Sequence, residues 1–223
     1  MPNHVTTTMR VTGPKAAVAT FRTQHIRPHK GTDGLTLDFN TVIPAPEILT
    51  GIEASSRVEM AMEKLSGREF IKRAQWSDEQ RARFAAAMEE LTPAELRMGE
   101  QALQALAETG HATWYSWNIA HWGTKWNAYD FSVVEEKPST VEKNAVEFVC
   151  RFDTAWSTPH PVFVQLAAMH PDLVFWTDSY DEGGNFATHG EGTDGVFDEY
   201  DRDTNAEAYE AAYGHTRDEE VDA

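Results

Sequence analysis

Cysteine is nearly absent: Cys150 is the only one in 223 residues. A lone thiol excludes an internal disulfide and any multi-cysteine zinc or iron–sulfur site, and it agrees with a reducing compartment. Long apolar runs are missing as well, and the opening MPNHVTTTMR has no apolar h-region. The expectation is a cytoplasmic protein with neither a membrane span nor a secretory leader. Cations are scarce too, with 19 Lys and Arg against 36 Asp and Glu, a formal net charge of −17. The imbalance gathers at one end: from Asp178 onward 15 acidic residues face two arginines, giving −13 and leaving −4 for residues 1–177. Affinity for phosphates comes mainly from Lys and Arg that displace counterions, so no nucleic acid and no anionic membrane is expected as a partner.

What is present is enough apolar material, 41% of residues, for one core with additions. Residues 4–11 alternate as a strand with Val5, Thr7, Met9 and Val11 on one face, and Gly13-Pro14 ends it. Residues 16–25 read as a helix, and Leu35, Leu37 and Phe39 alternate again. From 47 to 110 the period turns helical. Ser77 with Gln80 and Thr92 with Glu95 have capping-box spacing, the second with Pro93 at the first helical position. Val58, Ala61, Met62 and Leu65 form one stripe, and Leu96, Leu103 and Leu106 another. A short aromatic helix over 113–122 follows, which Gly123 can end in a left-handed conformation. Strands are expected at 126–135, at 146–153, where Val146, Phe148, Cys150 and Phe152 alternate with Glu147, Val149, Arg151 and Asp153, at 173–177 and around Phe186, with a helix after Pro159.

Strand, helix, strand, then strand, strand, helix, strand is the element order of a ferredoxin-like plait. The fold class is therefore α+β: a ferredoxin-like antiparallel sheet with helices on one face, a helical insertion at 47–110 and an acidic C-terminal tail. The domain runs over 1–197, with residues 3–43 and 126–190 in one sheet. The tail, 198–223, has a capping pattern at Thr204 and Glu207 for a short helix with Tyr209 and Tyr213 before Gly214.

Motifs that would announce chemistry fail on context. Gly190, Gly192 and Gly195 have G-x-G-x-x-G spacing, but the VFDEYDRD that follows would set carboxylates against a pyrophosphate. Asp201, Asp203 and Asn205 mimic the opening of a calcium loop whose sixth and twelfth positions here are Ala206 and Ala212. No histidines sit at H-x-x-x-H spacing on a helix, and no serine lies in a nucleophile elbow. Cys150 belongs to a strand that packs inward, and His160 and His170 read as caps or surface groups. No catalytic residue, metal ligand or cofactor is assigned, and enzyme activity is the lesser expectation.

The specific feature is aromatic. Trp114, Trp117, Trp122 and Trp126 fall within thirteen residues, the last two in HWGTKWNAYD, 121–130. The corner is expected to be structural at Trp126 and interactive at Lys125 and Trp122. The binding candidates are Trp122, Thr124, Lys125, Trp126, Asn127 and, across the hairpin, Trp156. HWGTKWNAYD, followed by FDTAWSTPHPV, resembles the YubB-like proteins of phages and conjugative plasmids, over roughly residues 114–190. That resemblance implies a ferredoxin-like C-terminal domain and the setting of a mobile genetic element, and it implies no reaction. The expected function is an accessory protein that binds a host or defence protein, of basic character, without catalysis. Two alternatives stay open: an acidic mimic of nucleic acid that blocks a DNA-binding protein, and a small-molecule or nucleotide-processing enzyme with a distributed site.

Overall fold

The computed structural model describes residues 3–29, 31–139 and 144–217. In chain order the main elements are β1 (His4–Pro14), α1 (Lys15–His25), β2 (Ile26–Pro28), β3 (Leu35–Leu37), α2 (Ser56–Ser66), α3 (Asp78–Glu89), α4 (Pro93–Thr109) and α5 (Trp114–His121). They continue with β4 (Tyr129–Pro138), β5 (Ala145–Ala155), α6 (His160–Met169), β6 (Val174–Asp181), β7 (Ala187–Thr193), β8 (Val196–Arg202) and α7 (Ala206–Tyr213). The chain divides into two compact units, residues 1–44 with 118–223, and Ala45–Trp117.

The first unit holds a six-stranded antiparallel sheet ordered β4-β5-β1-β6-β7-β8. Its first four strands, with α1 after β1 and α6 after β5, have the strand order of a ferredoxin-like plait, and β7 and β8 extend it. Phe21 on α1 meets Phe148 and Phe175, and Phe163 on α6 meets Phe152 and Phe197, so both helices cover one face. That face is dry: Val5, Met9, Val11 and Cys150 are buried there as their alternation predicts. Gly13 lies where a Cβ would stand 2.6 Å from Leu173 Cδ2, so the strand end closes on the segment leading into β6.

Two expectations need correction. The stretch at 35–39 does not join the main sheet: β3 pairs only with β2, in a separate two-stranded ribbon, and Phe39 opens a 3-10 turn that Asp38 caps. Alternation marks a strand but not its partner. The acidic stretch after Phe197 is not all tail, because β8 pairs along β7 and the expected boundary at 197/198 falls inside it. Asp194 (φ 50°) and Gly195 (φ 81°) turn this hairpin with two left-handed residues, and the Gly190 and Gly192 of the supposed phosphate loop leave room for the Phe197 ring. Helix α7 is capped by Asn205 rather than Thr204. It packs on the face opposite α1 and α6, where Thr8 donates 2.7 Å to its Ala212 carbonyl. The linker 140–143 and the last tail residues, 218–223, lie outside the described residues.

His170 caps the C-terminus of α6, one of the two readings expected for it, and its ring is half-buried on the helix-covered side. His25 Nδ1 lies 2.7 Å from Thr41 Oγ1, whose hydrogen goes to the Asp38 carbonyl, so His25 donates there and accepts at Nε2 from His170 Nε2, 2.9 Å away. Burial, with His170 and Arg27 nearby, pushes His25 down to about 4, so it is neutral at pH 7.

In the second unit both expected capping boxes form. The buried stripe of α4 is Gly99, Ala102 and Ala105 rather than the leucines, because α4 approaches α2 so closely that a Cβ on Gly99 would stand 2.6 Å from the Ala61 Cβ. Glu63 is buried there. Burial pushes its carboxyl up, but the Ile71 and Phe70 N–H groups and Arg73 outweigh this and hold it below the usual range.

Candidate functional site

The corner at 121–130 is built around Gly123. Its φ of 79° ends α5, and a Cβ there would stand 2.8 Å from Pro161 Cδ. Thr124, fully buried, donates 2.8 Å to the Ala155 carbonyl and accepts from the Ala155 N–H. Asn127 accepts from the Phe39 N–H at 2.8 Å and donates to Asp38 at 2.8 Å. Both brace the corner through these hydrogen bonds.

The burial of the two indoles is the reverse of what the sequence suggests. Trp122 is 4% exposed, lies edge-on to Phe39 and donates its Nε1–H to the Ile43 carbonyl at 2.9 Å. It is core. Trp126 and Trp156 are 37% and 42% exposed, and the Lys125 ammonium sits 4.4 and 4.8 Å from their ring centroids. Trp156 reaches this position through a left-handed backbone (φ 73°), its N–H donating to the Asn3 carbonyl. Four residues of separation around a glycine turn put one indole inside and the other out, and spacing alone does not say which.

Beside this pair, on the sheet face that carries α7, a cleft of about 530 Å³ opens at the start of β1. His4 and Thr6 line it from β1, Asp153 from β5, Asp130 from β4 and Glu182 from the end of β6. Tyr209, Tyr213 and Arg217 line it from α7 and the residues after it. Antiparallel register brings Thr6 opposite Asp153, and the Thr6 hydroxyl donates to Asp153 at 2.8 Å. Glu182 accepts from the His4 N–H at 3.0 Å. The Tyr129 hydroxyl stands 2.9 Å from His4 Nδ1, and its ring lies edge-on to Trp126 and to His4, so the exposed indole and the cleft are contiguous.

The electrostatics are those of crowded acids. Burial, then Asp130 and Glu182, raises the Asp153 carboxyl above its usual range against the pull of the Thr6 hydrogen bond and His4. Burial, with Asp153 and Asp130, pushes the Tyr129 phenol up as well, so it stays protonated and neutral. Cys150, fully buried on the other face, is pushed up to about 12 by burial. The arrangement is chemically suited to receiving a positive charge.

Of the six sequence candidates, Lys125, Trp126 and Trp156 come together at the surface, while Trp122 and Thr124 are buried and Asn127 is half-buried. Sequence reasoning missed the whole cleft. The pairing of His4 with Ala155 and Tyr180 with Thr6 sets its walls, and only strand register, not local pattern, carries that information. Among the described residues no group of three or more His, Cys, Asp or Glu side chains is arranged to hold a metal ion, and no helix is long and apolar enough to cross a membrane.

No curated protein matches the chain. A solved structure, that of a protein Api92 from Yersinia pseudotuberculosis, aligns over 90% of this chain and 98% of its own at 10% identity, with a TM-score of 0.38. The resemblance to YubB-like proteins finds no support in these comparisons. Residues 121–222 match the family model described as the ferredoxin-like domain in Api92-like protein, so this region is similar to that domain.

Proposed function

We propose that this protein acts by binding, without catalysis, and that its partner is a host or defence protein that inserts a basic side chain into the acidic cleft. In this reading the YubB-like character of the two tryptophan motifs gives the setting, an accessory protein of a mobile genetic element in the bacterial cytoplasm. The observation that carries the reading is the convergence of Asp130, Asp153 and Glu182 on one opening, with Asp153 held above its usual range. Carboxylates crowded at this density repel one another, and a cation entering among them removes that cost. The neighbouring Trp126 and Trp156 supply a half-exposed apolar rim of the kind that dominates binding energy at protein interfaces. With −17 overall, phosphate ligands are repelled.

Isothermal titration of the full chain with a lysine- and arginine-rich peptide, and with an acidic peptide of the same length, tests this. Saturable binding of the basic peptide alone is expected, weakened about tenfold or more by Asp153→Asn combined with Glu182→Gln. Equal binding of both peptides, or indifference to the double substitution, would refute the cleft as the site. Saturable DNA binding in an anisotropy titration at physiological salt would contradict the charge argument.

A further inference from the structure

We infer that the cleft is selective for a guanidinium group and that Arg217 of the chain itself is its resident occupant, so the C-terminal hook competes with any ligand. This rests on the reading of the cleft as a cation site, and it adds the identity of the cation and a means of control.

One wall of the cleft is aromatic, with Tyr209 and Tyr213 lining it from α7. Tyr209 and Tyr213 stack at 4.3 Å with 14° between their planes, and Tyr180 meets both edge-on. Onto this wall the Arg217 guanidinium is laid, its Cζ 5.5 Å from the Tyr180 centroid and 5.2 Å from that of Tyr209. Its Nη2 donates 3.2 Å to the Tyr180 hydroxyl. A planar, weakly hydrated guanidinium stacks on tyrosine faces while donating in plane, whereas a lysine ammonium is a compact hydrated charge without that geometry. The wall is thus shaped to the group it holds.

The chain is bent to deliver that group. Gly214 ends α7 at φ 76°, a left-handed conformation that favours glycine, and the Arg151 guanidinium lies against it. His215 then lies edge-on against Tyr209 and Tyr213, which sets the direction of the next two residues. Gly184, at φ 67°, also borders the guanidinium: its Cβ position lies in van der Waals contact with Arg217 Nη2 at 3.6 Å and with the Tyr180 hydroxyl at 3.5 Å.

The occupancy is reversible by construction. Arg217 is exposed, and among the described residues it makes no ion pair within 4 Å, although Asp130, Asp153 and Glu182 line the same cleft. An arginine from a partner can take the tyrosine wall and reach those carboxylates as well, gaining contacts that Arg217 lacks. Release of the hook is the step that admits it.

The test uses the full chain and two peptides identical except that three arginines in one are lysines in the other. Arg217→Ala is expected to bind the arginine peptide at least fivefold more tightly than the natural chain, with Arg217→Lys in between. In the Arg217→Ala chain the arginine peptide should bind at least fivefold more tightly than the lysine peptide. Gly214→Ala, which dislodges the hook without removing the arginine, should also tighten binding, and circular dichroism checks that each variant is folded. If all these chains bind both peptides alike, the guanidinium inference is overturned and the cation-site reading stands. If none binds either peptide, both fall.

Discussion

Beneath α1 and α6 the sheet sets Val5, Met9, Val11, Phe148, Phe152 and Phe175 against the helices, all at 1% exposure or less. The same strands, read one residue out of phase, give Thr6, Thr8, Asp153, Arg151 and Asp178 to the other face, which α7 covers in part. One face excludes water and is filled with rings that meet edge-on; the other is tied by side-chain hydrogen bonds such as His189 to Asp178 at 2.9 Å and Arg202 to Asp178 at 2.7 Å. In an antiparallel sheet with two covers, period-two alternation assigns the two tasks independently. The dry face holds the fold together, and the wet face is free to carry crowded charge.

Substitutions can sharpen or break that division, and the largest effect belongs to the dry side. Trp122 packs on Phe39, which packs on Phe152, so Trp122→Ala should cost about 3 to 5 kcal/mol in urea unfolding. A loss under about 1 kcal/mol would mean that this indole is not core. On the wet face Thr8→Ala should cost about 1 to 3 kcal/mol, because it strips one hydrogen bond from the Ala212 carbonyl and one from Arg151 Nε. Its signature is local: amide exchange should quicken in α7 before it quickens in β1 or β5. Uniform loss of protection would tie the two faces more closely than their contacts do.

The dry face was legible in the sequence because burial on one side writes a period into the chain. Phe148, Cys150 and Phe152 announced a strand and its inward side, and the Ser77 and Thr92 capping boxes announced two helix starts. The wet face was not legible, since its side chains are chosen by neighbours across the sheet. Asp198, Glu199 and Asp201 read as solvated tail although Phe197, just before them, anchors β8 on α6. Likewise the acids of the cleft are 23 to 52 positions apart along the chain, and only the β4–β5, β1–β5 and β1–β6 registers bring them together.

Between the two faces stands the corner that carries both kinds of tryptophan. Trp126→Ala should cost less than about 1 kcal/mol, because a ring already 37% exposed leaves little cavity when removed and its pairing with the Lys125 ammonium is at the surface. Thermal unfolding beside the Trp122 variant makes the contrast within four residues. Equal losses for the two would erase the distinction between core and rim.

The smallest effect should have the opposite sign. Burial, with Asp130 and Glu182, raises the Asp153 carboxyl in the folded chain above its value in the unfolded one. The native state therefore binds more protons than the unfolded state between those two values, and its stability falls as pH rises through that window. Above that window the ionised Asp153 is a net cost to the fold. Asp153→Asn removes the charge and keeps an oxygen to accept from Thr6, so its melting temperature at pH 7 should exceed that of the natural chain. The advantage should shrink as pH is lowered below the raised value, where the natural carboxyl is itself neutral. A basic peptide should stabilise the natural chain at pH 7 and release a proton fraction on binding near the raised value, whereas the Asn variant releases none from this position. A lower melting temperature for Asp153→Asn at pH 7 would mean that the ionised carboxylate is satisfied within the protein, and that nothing in the cleft awaits a cation.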